Sequence, residues 1–503
     1  MIIEVQKINE TYAILKCDRG IAQELNEYFS FFATGYKFMP AYKSRMWDGK
    51  IRLAKILPNG DIEFYIGLLN QLEVFCQERD YTVKYDYKES INSVSSEELH
   101  KFITNLNIHS NGKKIEIRDY QFKGVLDFLN SKRLVLLSPT SSGKSAILYI
   151  IVRYLLMHGK KKGLLLVPNT SLCHQLTSDF ADYSSHNGWD VNKHIHMIFA
   201  GKDKNADRDL YISTWQSLFN HKSQSYFNQF DFVLCDEAHL ASANSLTGIV
   251  QKSINADYRV GVTGTLNGQK IHSLQLESLF GPVKKVISTK ELMDKKQVTE
   301  LSIKCLILKY PEHLTKLTQK LKYQQELEYL ISNEQRNKFI KNLVLSLKGN
   351  TLLLFQYVDK HGEILYNLIS QSKYAKDKRV YYIHGGIKAD ERETIRKAME
   401  TQDNVILIGS VGTVSTGTNI KNLHNIIFAA PSKSRIRNLQ AIGRVLRLNE
   451  NKDKAILYDI ADDLRYKKHQ NYTLMHFNER IKIYNEEKFD FKIINIELNI
   501  PPI

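Results

Sequence analysis

Two tandem doubly wound parallel-sheet α/β domains behind a small α+β domain are predicted for this 503-residue chain by three features of its sequence. Short apolar runs alternate with longer amphipathic segments from about residue 113 to 290, and the alternation returns after residue 350. The stretch up to about residue 100 differs, being aromatic, basic and interrupted by tight-turn signals. Short runs of Leu, Val and Ile are what strands buried on both faces of a parallel sheet look like, and their alternation with helical segments builds βα units.

Taken in order, the first region carries Asp-Gly in WDGK (47–50) and Asn-Gly in PNGD (58–61), both of which favour tight primed hairpin turns. SINSVSSEELHK, from residue 90, is polar and serine-rich and reads as a linker running into a helix. RLVLLS, GLLLVP, MIFAG, DLYISTW, FVLCDE and YRVGVTGT supply strands for one sheet, and TLLLFQY, RVYYIHG, NVILIGS, HNIIFAA and KAILYDI for a second. After Pro311 no Pro or Gly occurs until Gly349, and the intervening residues are rich in Lys, Gln, Glu and Leu, which predicts helix. The expected divisions are a small basic and aromatic domain over 1–95, a first α/β domain over 96–310, a helical connector over 311–346, a second α/β domain over 347–470 and a C-terminal extension over 471–503.

Lys and Arg number 70 against 54 Asp and Glu, a formal charge of +16 that suits a polyanionic partner or an anionic membrane surface. Cys17, Cys76, Cys173, Cys235 and Cys305 are odd in number and dispersed, forming neither a disulfide framework nor a CxxC site, which points to a reducing compartment. MIIEVQKINE does not read as a signal peptide, and AILYIIVRYLL is broken by Arg153 and too short to span a bilayer. A soluble cytoplasmic protein without a membrane partner is expected.

SPTSSGKS (138–145) fits the P-loop pattern except that Ser138 replaces its first glycine. Backbone amides around Ser141, Ser142 and Gly143 would form an anion-binding nest at a helix N-terminus, Lys144 would reach the β- and γ-phosphates of ATP, and Ser145 would ligate Mg²⁺. An ordinary strand-turn-helix connection has the same outline, but the flanking strand and apolar helix are the context a phosphate site needs. FDFVLCDEAH (230–239) then delivers Asp236 and Glu237 at the carboxyl end of a strand, where Asp236 can hold Mg²⁺ through water and Glu237 can orient and deprotonate the attacking water. Adjacent carboxylates are commonly solvated surface; following a buried-strand pattern in the P-loop's own domain, they make phosphoryl transfer to water the expected chemistry.

With these motifs the sequence resembles the superfamily 2 helicases and translocases, over residues 113–462, which implies two RecA-like motor domains. IRDYQ (117–121) is similar to the family's adenine-side element, implying that Gln121 reads the base edge and that Arg118 or Tyr120 packs near it. GVTGTL (261–266) resembles the element coupling hydrolysis to strand movement, with Gly264 where the family has Ala and with Thr263 and Thr265 in place. SVGTVSTGTNI (410–420) resembles the element that contacts nucleic acid and nucleotide, here through Thr416 and Gly417. QAIGRVLR (440–447) resembles the arginine-bearing element, with Gln440, Gly443, Arg444 and Arg447 at the family spacing. Two arginines three apart share a helix face and could both meet a γ-phosphate, although a basic surface helix would look the same in isolation.

The resemblance also implies strand-binding loops at VPNTSLCHQL (167–176), STWQSL (213–218), FQYVD (355–359) and HGG (384–386), with Asn169, Thr170, Thr214, Gln216 and Gln356 on sugar and phosphate. GYKFMPAYKSRMWDGKIRLAK (35–55) holds six Lys or Arg against one Asp, interleaved with aromatics. Lys43, Arg45, Lys50 and Arg52 suit phosphate contacts, and Trp47 suits stacking on an exposed base. Phe38 and Trp47 would equally suit the core of a small domain. The whole combination is similar to the recombination helicases of T-even bacteriophages and implies a 3′-to-5′ DNA helicase that acts on stalled forks, Holliday junctions and R-loops. DNA, branched or duplex or in an RNA–DNA hybrid, is then the partner; recombination or replication proteins are not readable. An RNA helicase and a duplex translocase that never separates strands remain alternatives. A scaffold with a degenerate ATP site would not need Lys144, Asp236, Glu237, Arg444 and Arg447 together.

Overall fold

The computed structural model describes residues 1–500 apart from 34, 89–92, 241–243, 415–419, 421, 431–433, 447–451 and 453, and apart from the side chains of 244, 389, 390, 436, 437 and 444. The chain divides into two compact units, residues 1–138 with 143–286, and residues 139–142 with 287–503.

The first unit opens with β1 (Ile2–Lys7), β2 (Tyr12–Lys16), β3 (Ser30–Phe32), β4 (Lys50–Arg52), β5 (Ala54–Ile56), β6 (Ile62–Tyr65) and β7 (Thr82–Tyr85). Five of them form a sheet of order β5-β6-β2-β1-β7, antiparallel except for the β1–β7 pair. Strict alternation sends Ile3, Val5, Ala13 and Leu15 to one face, where Leu25, Phe29, Leu72 and Phe75 cover them. PNGD is a hairpin turn: Leu57 N donates to Asp61 O at 2.8 Å, Gly60 sits at φ 91° and β5 pairs with β6. WDGK is not. Asp48 Oδ1 accepts from Lys50 N at 3.1 Å and Gly49 turns at φ 83°, which feeds β4 into a pairing with β3, Ser30 opposite Arg52. Residues 33–49 are therefore the connection of that hairpin.

This small domain is tied to the α/β part of its own unit by buried polar contacts. Arg259, fully buried, donates to Thr11 Oγ1 at 2.9 Å and to the Ser253 and Ala256 carbonyls at 2.6 and 3.0 Å. Thr11 Oγ1 donates in turn to Gln251 O at 3.1 Å, and Arg133 pairs with Glu10 at 2.5 Å. Gly67 lies against helix Lys270–Phe280 so closely that a Cβ there would stand 2.1 Å from Glu277 O.

After the small hairpin β8 (His109–Ser110) and β9 (Lys113–Lys114) come β10 (Arg133–Leu137), β11 (Gly163–Val167), β12 (Ile195–Ile198), β13 (Leu210–Thr214), β14 (Phe232–Asp236), β15 (Tyr258–Thr263) and β16 (Val283–Lys285). They form an all-parallel sheet of order β12-β13-β11-β14-β15-β10-β16. Every residue of β11, β13, β14 and β15 is buried, because helices cover both faces.

The second unit holds β17 (Glu300–Lys309), β18 (Thr351–Phe355), β19 (Arg379–Ile383), β20 (Val405–Ser410), β21 (Asn425–Phe428), β22 (Lys454–Asp463) and β23 (Phe491–Glu497) in the order β19-β20-β18-β21-β22-β17-β23, every pair parallel. Three sequence expectations change here. Residues 300–309, expected in the first α/β domain, pair with β22 along their whole length. The helices Glu312–Thr318, Tyr323–Ser332 and Glu334–Ser346 contribute Leu314, Leu330, Ile340 and Val344 to the core around Leu353 and Phe355, so 311–346 is part of the domain and not a connector. Residues 491–497, expected in an extension, form the edge strand beside β17. For the two strands the partner lies far away in sequence. Among the described residues no helix is long and apolar enough to cross a membrane.

Candidate nucleotide and nucleic-acid sites

Where β10 ends, Ser138 N donates to Thr263 O at 2.8 Å and anchors the phosphate turn to β15. The turn closes on Pro139 O, which accepts from Ser142 N at 3.3 Å and from Ser142 Oγ at 2.6 Å. Ser141 at φ 70° and Gly143 at φ 83° take left-handed conformations, and helix Lys144–Met157 starts immediately afterwards. Any side chain at Gly143 would be strained at that φ, and its Cβ would stand 2.2 Å from Gln121 Nε2, so that the Gln121 amide would have to shift. Gln121 is thereby packed on the turn, while its Oε1 accepts from Arg118 N at 2.9 Å and Arg118 Nη1 donates to Tyr120 Oη at 2.8 Å. Lys144, half-buried, reaches back to Ser138 O at 3.5 Å, a weak contact that a phosphate oxygen can replace.

Asp236 ends β14 and is 8% exposed. Burial and then the neighbouring Glu237 charge push its pKa up to about 7, against the pull of Lys144. Glu237 follows in the left-handed region at φ 55°. Its Oε2 lies 3.1 Å from His239 Nδ1, which is also 3.0 Å from Thr263 Oγ1. Thr263 Oγ1 donates to Thr265 O at 3.2 Å, and His272 Nε2 donates to His239 O at 2.6 Å. The DEAH segment and the VTGT segment thus meet through one imidazole. Sequence reasoning singled out neither His239 nor His272, and it missed Tyr183, whose hydroxyl is 2.8 Å from Ser145 Oγ. Only the His239 position, inside DEAH, carried a local signal.

The donor set fits Mg²⁺. Ser145 offers a hydroxyl and Asp236 a carboxylate, both hard oxygen donors, and a carboxylate held near pH 7 by burial gains most from a nearby cation. Among the described residues there is no group of three or more His, Cys, Asp or Glu that could hold a metal ion.

In the second unit, Gln440 is half-buried on helix Arg435–Val445. The backbone of Arg444 lies in the same helix, its side chain is outside the description, and Arg447, Thr416 and Gly417 lie outside the described residues. Gln356 is exposed just past β18. In the first unit, Asn169 caps helix Thr170–Tyr183 by accepting from Leu172 N at 3.0 Å, and buried Thr214 shares a 2.8 Å hydrogen bond with Ser217. Thr170 and Gln216 beside them are exposed. In the small domain Lys43 and Arg45 are exposed, whereas Arg52 is paired with Asp48 and Lys50 Nζ lies 5.4 Å over the Phe32 ring. Phe38 is 79% exposed. Trp47 is half-buried with Nε1 donating to Lys50 O at 2.9 Å, and neither ring belongs to the domain's core.

Comparison with known proteins matches the family "DNA helicase UvsW, N-terminal" over residues 3–86, "Type III restriction enzyme, res subunit" over 114–268 and "Helicase conserved C-terminal domain" over 335–449. The ATP-dependent DNA helicase uvsW of Enterobacteria phage T4 is 32% identical over 519 aligned residues, which cover 99% of this chain and 100% of that protein. The chain belongs to the UvsW helicase family. A crystal structure of T4 UvsW from the same family aligns over 99% of this chain and 100% of its own, at 30% identity and a TM-score of 0.51. A more distant relative, the DNA 3′-5′ translocase XPB2 of Sulfurisphaera tokodaii, is 22% identical over 69% of this chain and 82% of its own length.

Proposed function

We infer that this chain is an ATP-dependent DNA helicase that moves 3′ to 5′ and remodels branched DNA such as stalled forks, Holliday junctions and R-loops, in the cytoplasm of a bacterial host. The observation that carries the reading is that Lys144, Asp236 and the Glu237–His239–Thr263 chain come together in one unit of a UvsW-family protein. Lys144 and the first amides of its helix bind and neutralise the β- and γ-phosphates. Glu237 accepts the proton of the attacking water. Ser145 and Asp236 would hold Mg²⁺, which would supply positive charge where negative charge develops on the phosphate oxygens. Gln440, Arg444 and Arg447 are the candidates for acting on the γ-phosphate, as the resemblance of their element implies, and Gln121 and Arg118 are those for the adenine side. His239 lets Thr263 respond to the state of Glu237. Polarity takes its support from the relative named as a 3′-5′ translocase.

A second reading, a duplex translocase that leaves strands paired, is favoured by the match of residues 114–268 to a restriction-enzyme subunit. ATPase rate and strand displacement measured side by side on single-stranded, duplex and forked DNA and on RNA separate these. The helicase reading expects stimulation by DNA and displacement on forks. Stimulation by duplex with no displacement establishes the translocase, and preference for RNA overturns the choice of DNA.

A further inference from the structure

The carboxyl edge of the second sheet carries a basic turn that no motif above includes. All seven strands are parallel, so their carboxyl ends share one edge, and register fixes how far each reaches. Leu354 pairs with Phe428 and Phe428 with Asp459, which sets Phe355 level with Ile460. β22 continues to Asp463, paired with β17 throughout, three residues further and therefore about 10 Å at the usual strand rise. The turn after β22 stands forward of the loop that bears Gln356.

Its construction is rigid. Tyr466 and His469 exchange both backbone hydrogen bonds, at 3.1 and 3.0 Å, leaving Lys467 and Lys468 exposed at the tip. Lys467 is held at φ 52°, a left-handed conformation that glycine or asparagine takes at lower cost. Arg465, more than half exposed, places two N–H groups on Asp463, at 2.9 and 2.6 Å, and keeps its remaining donors. Buried Asp463 also pairs with Lys309 of β17. One carboxylate thus fixes two cations at the lip of a cavity of about 420 Å³, whose other acidic lining residue is Glu312.

We propose that the Arg465–Lys468 turn binds the sugar-phosphate backbone of the DNA on which the motor works, as an anchoring point separate from the loop carrying Gln356. The inference rests on the DNA-helicase reading. Lysines at a preformed tip lose little freedom on meeting phosphate, and each contact releases counterions, so binding through them is salt-dependent.

The test measures affinity of the full chain for labelled forked and single-stranded DNA against salt concentration. Lys467→Glu with Lys468→Glu should weaken binding to forked DNA about tenfold near 0.1 M salt and make the log-affinity against log-salt slope shallower by about 1.8, at ~0.9 per lost duplex contact. A matched pair, Lys348→Glu with Lys376→Glu, reverses two exposed lysines before β18 and β19, at the opposite edge of the sheet, and should change affinity less than twofold. Lys467→Gly separates binding from folding: relief of the left-handed lysine should leave Tm equal or higher while affinity falls. Unchanged affinity and slope in the tip variants, or an equal loss in the matched pair, overturns the proposal while leaving the helicase reading in place. Absence of DNA binding by the wild type would overturn both.

Discussion

Among the described residues Lys144 makes one long hydrogen bond, to Ser138 O, so its ammonium contributes little to folding. Lys144→Ala should therefore lower ATP turnover by about 10²- to 10³-fold while Tm and DNA affinity stay near those of the wild type; a variant with near-normal DNA-stimulated turnover would remove the phosphate role from this turn. A different residue should contribute to the response to acid. His361 is fully buried, neither ring nitrogen has a hydrogen-bond partner among the described residues, and burial followed by the Arg336 charge holds its pKa down to about 3. Its unfolded value is about 6.5, so the native state binds fewer protons. The stability it permits is complete above about pH 6.5 and is lost as pH falls toward 3, by up to ~1.4 kcal/mol per pH unit. His361→Phe should flatten that slope in urea melts between pH 7 and 4.5; an unaltered slope would place the acid sensitivity elsewhere.

Elements were legible in the sequence where burial is local in pattern. β11, β13, β14 and β18 are buried at every position, and GLLLV, LYIST, FVLCD and TLLLF look buried without knowledge of the fold. β17 and β23 were misassigned for the opposite reason. ELSIKCLILK alternates in exposure over much of its length, so nothing in it says which sheet it joins, and FKIINIE is largely exposed as an edge strand and reads as a tail. At the site, Lys144, Asp236 and Glu237 were legible because their motifs are continuous. Tyr183 was not, since it meets Ser145 from another helix through a side-chain contact that no spacing encodes. The docking of the small domain was equally hidden, and it gives a prediction for the segment Ile66–Leu68. Gly67→Ala would drive a methyl into the Glu277 backbone. It should cost about 1–3 kcal/mol and appear as an early transition or as proteolysis between the small domain and the rest. A melting profile identical to the wild type would show that this contact yields freely.

Across the whole molecule the charge of +16 is a statement about partners, and the small domain is where its contribution is most easily read. Reversing Lys43, Arg45, Lys50 and Arg52 to Glu should weaken forked-DNA binding and flatten its salt dependence. Arg52 is already neutralised by Asp48, so the loss should correspond to about three duplex contacts and a slope change of ~2.7, not four contacts. An unaltered slope in a folded variant would mean that residues 35–55 do not face DNA.

β15 gives these scales a mechanical connection. Arg259, near its beginning, grips Thr11 of the small domain, and Thr263, at its end, touches His239 beside Glu237. The strand is hydrogen-bonded on both sides, to β14 and to β10, and runs unbroken between these two contacts. The small domain is therefore joined to the DEAH side of its own unit through a strand of the sheet and not by a tether alone, so a displacement at Thr263 would act on a strand whose other end holds Thr11.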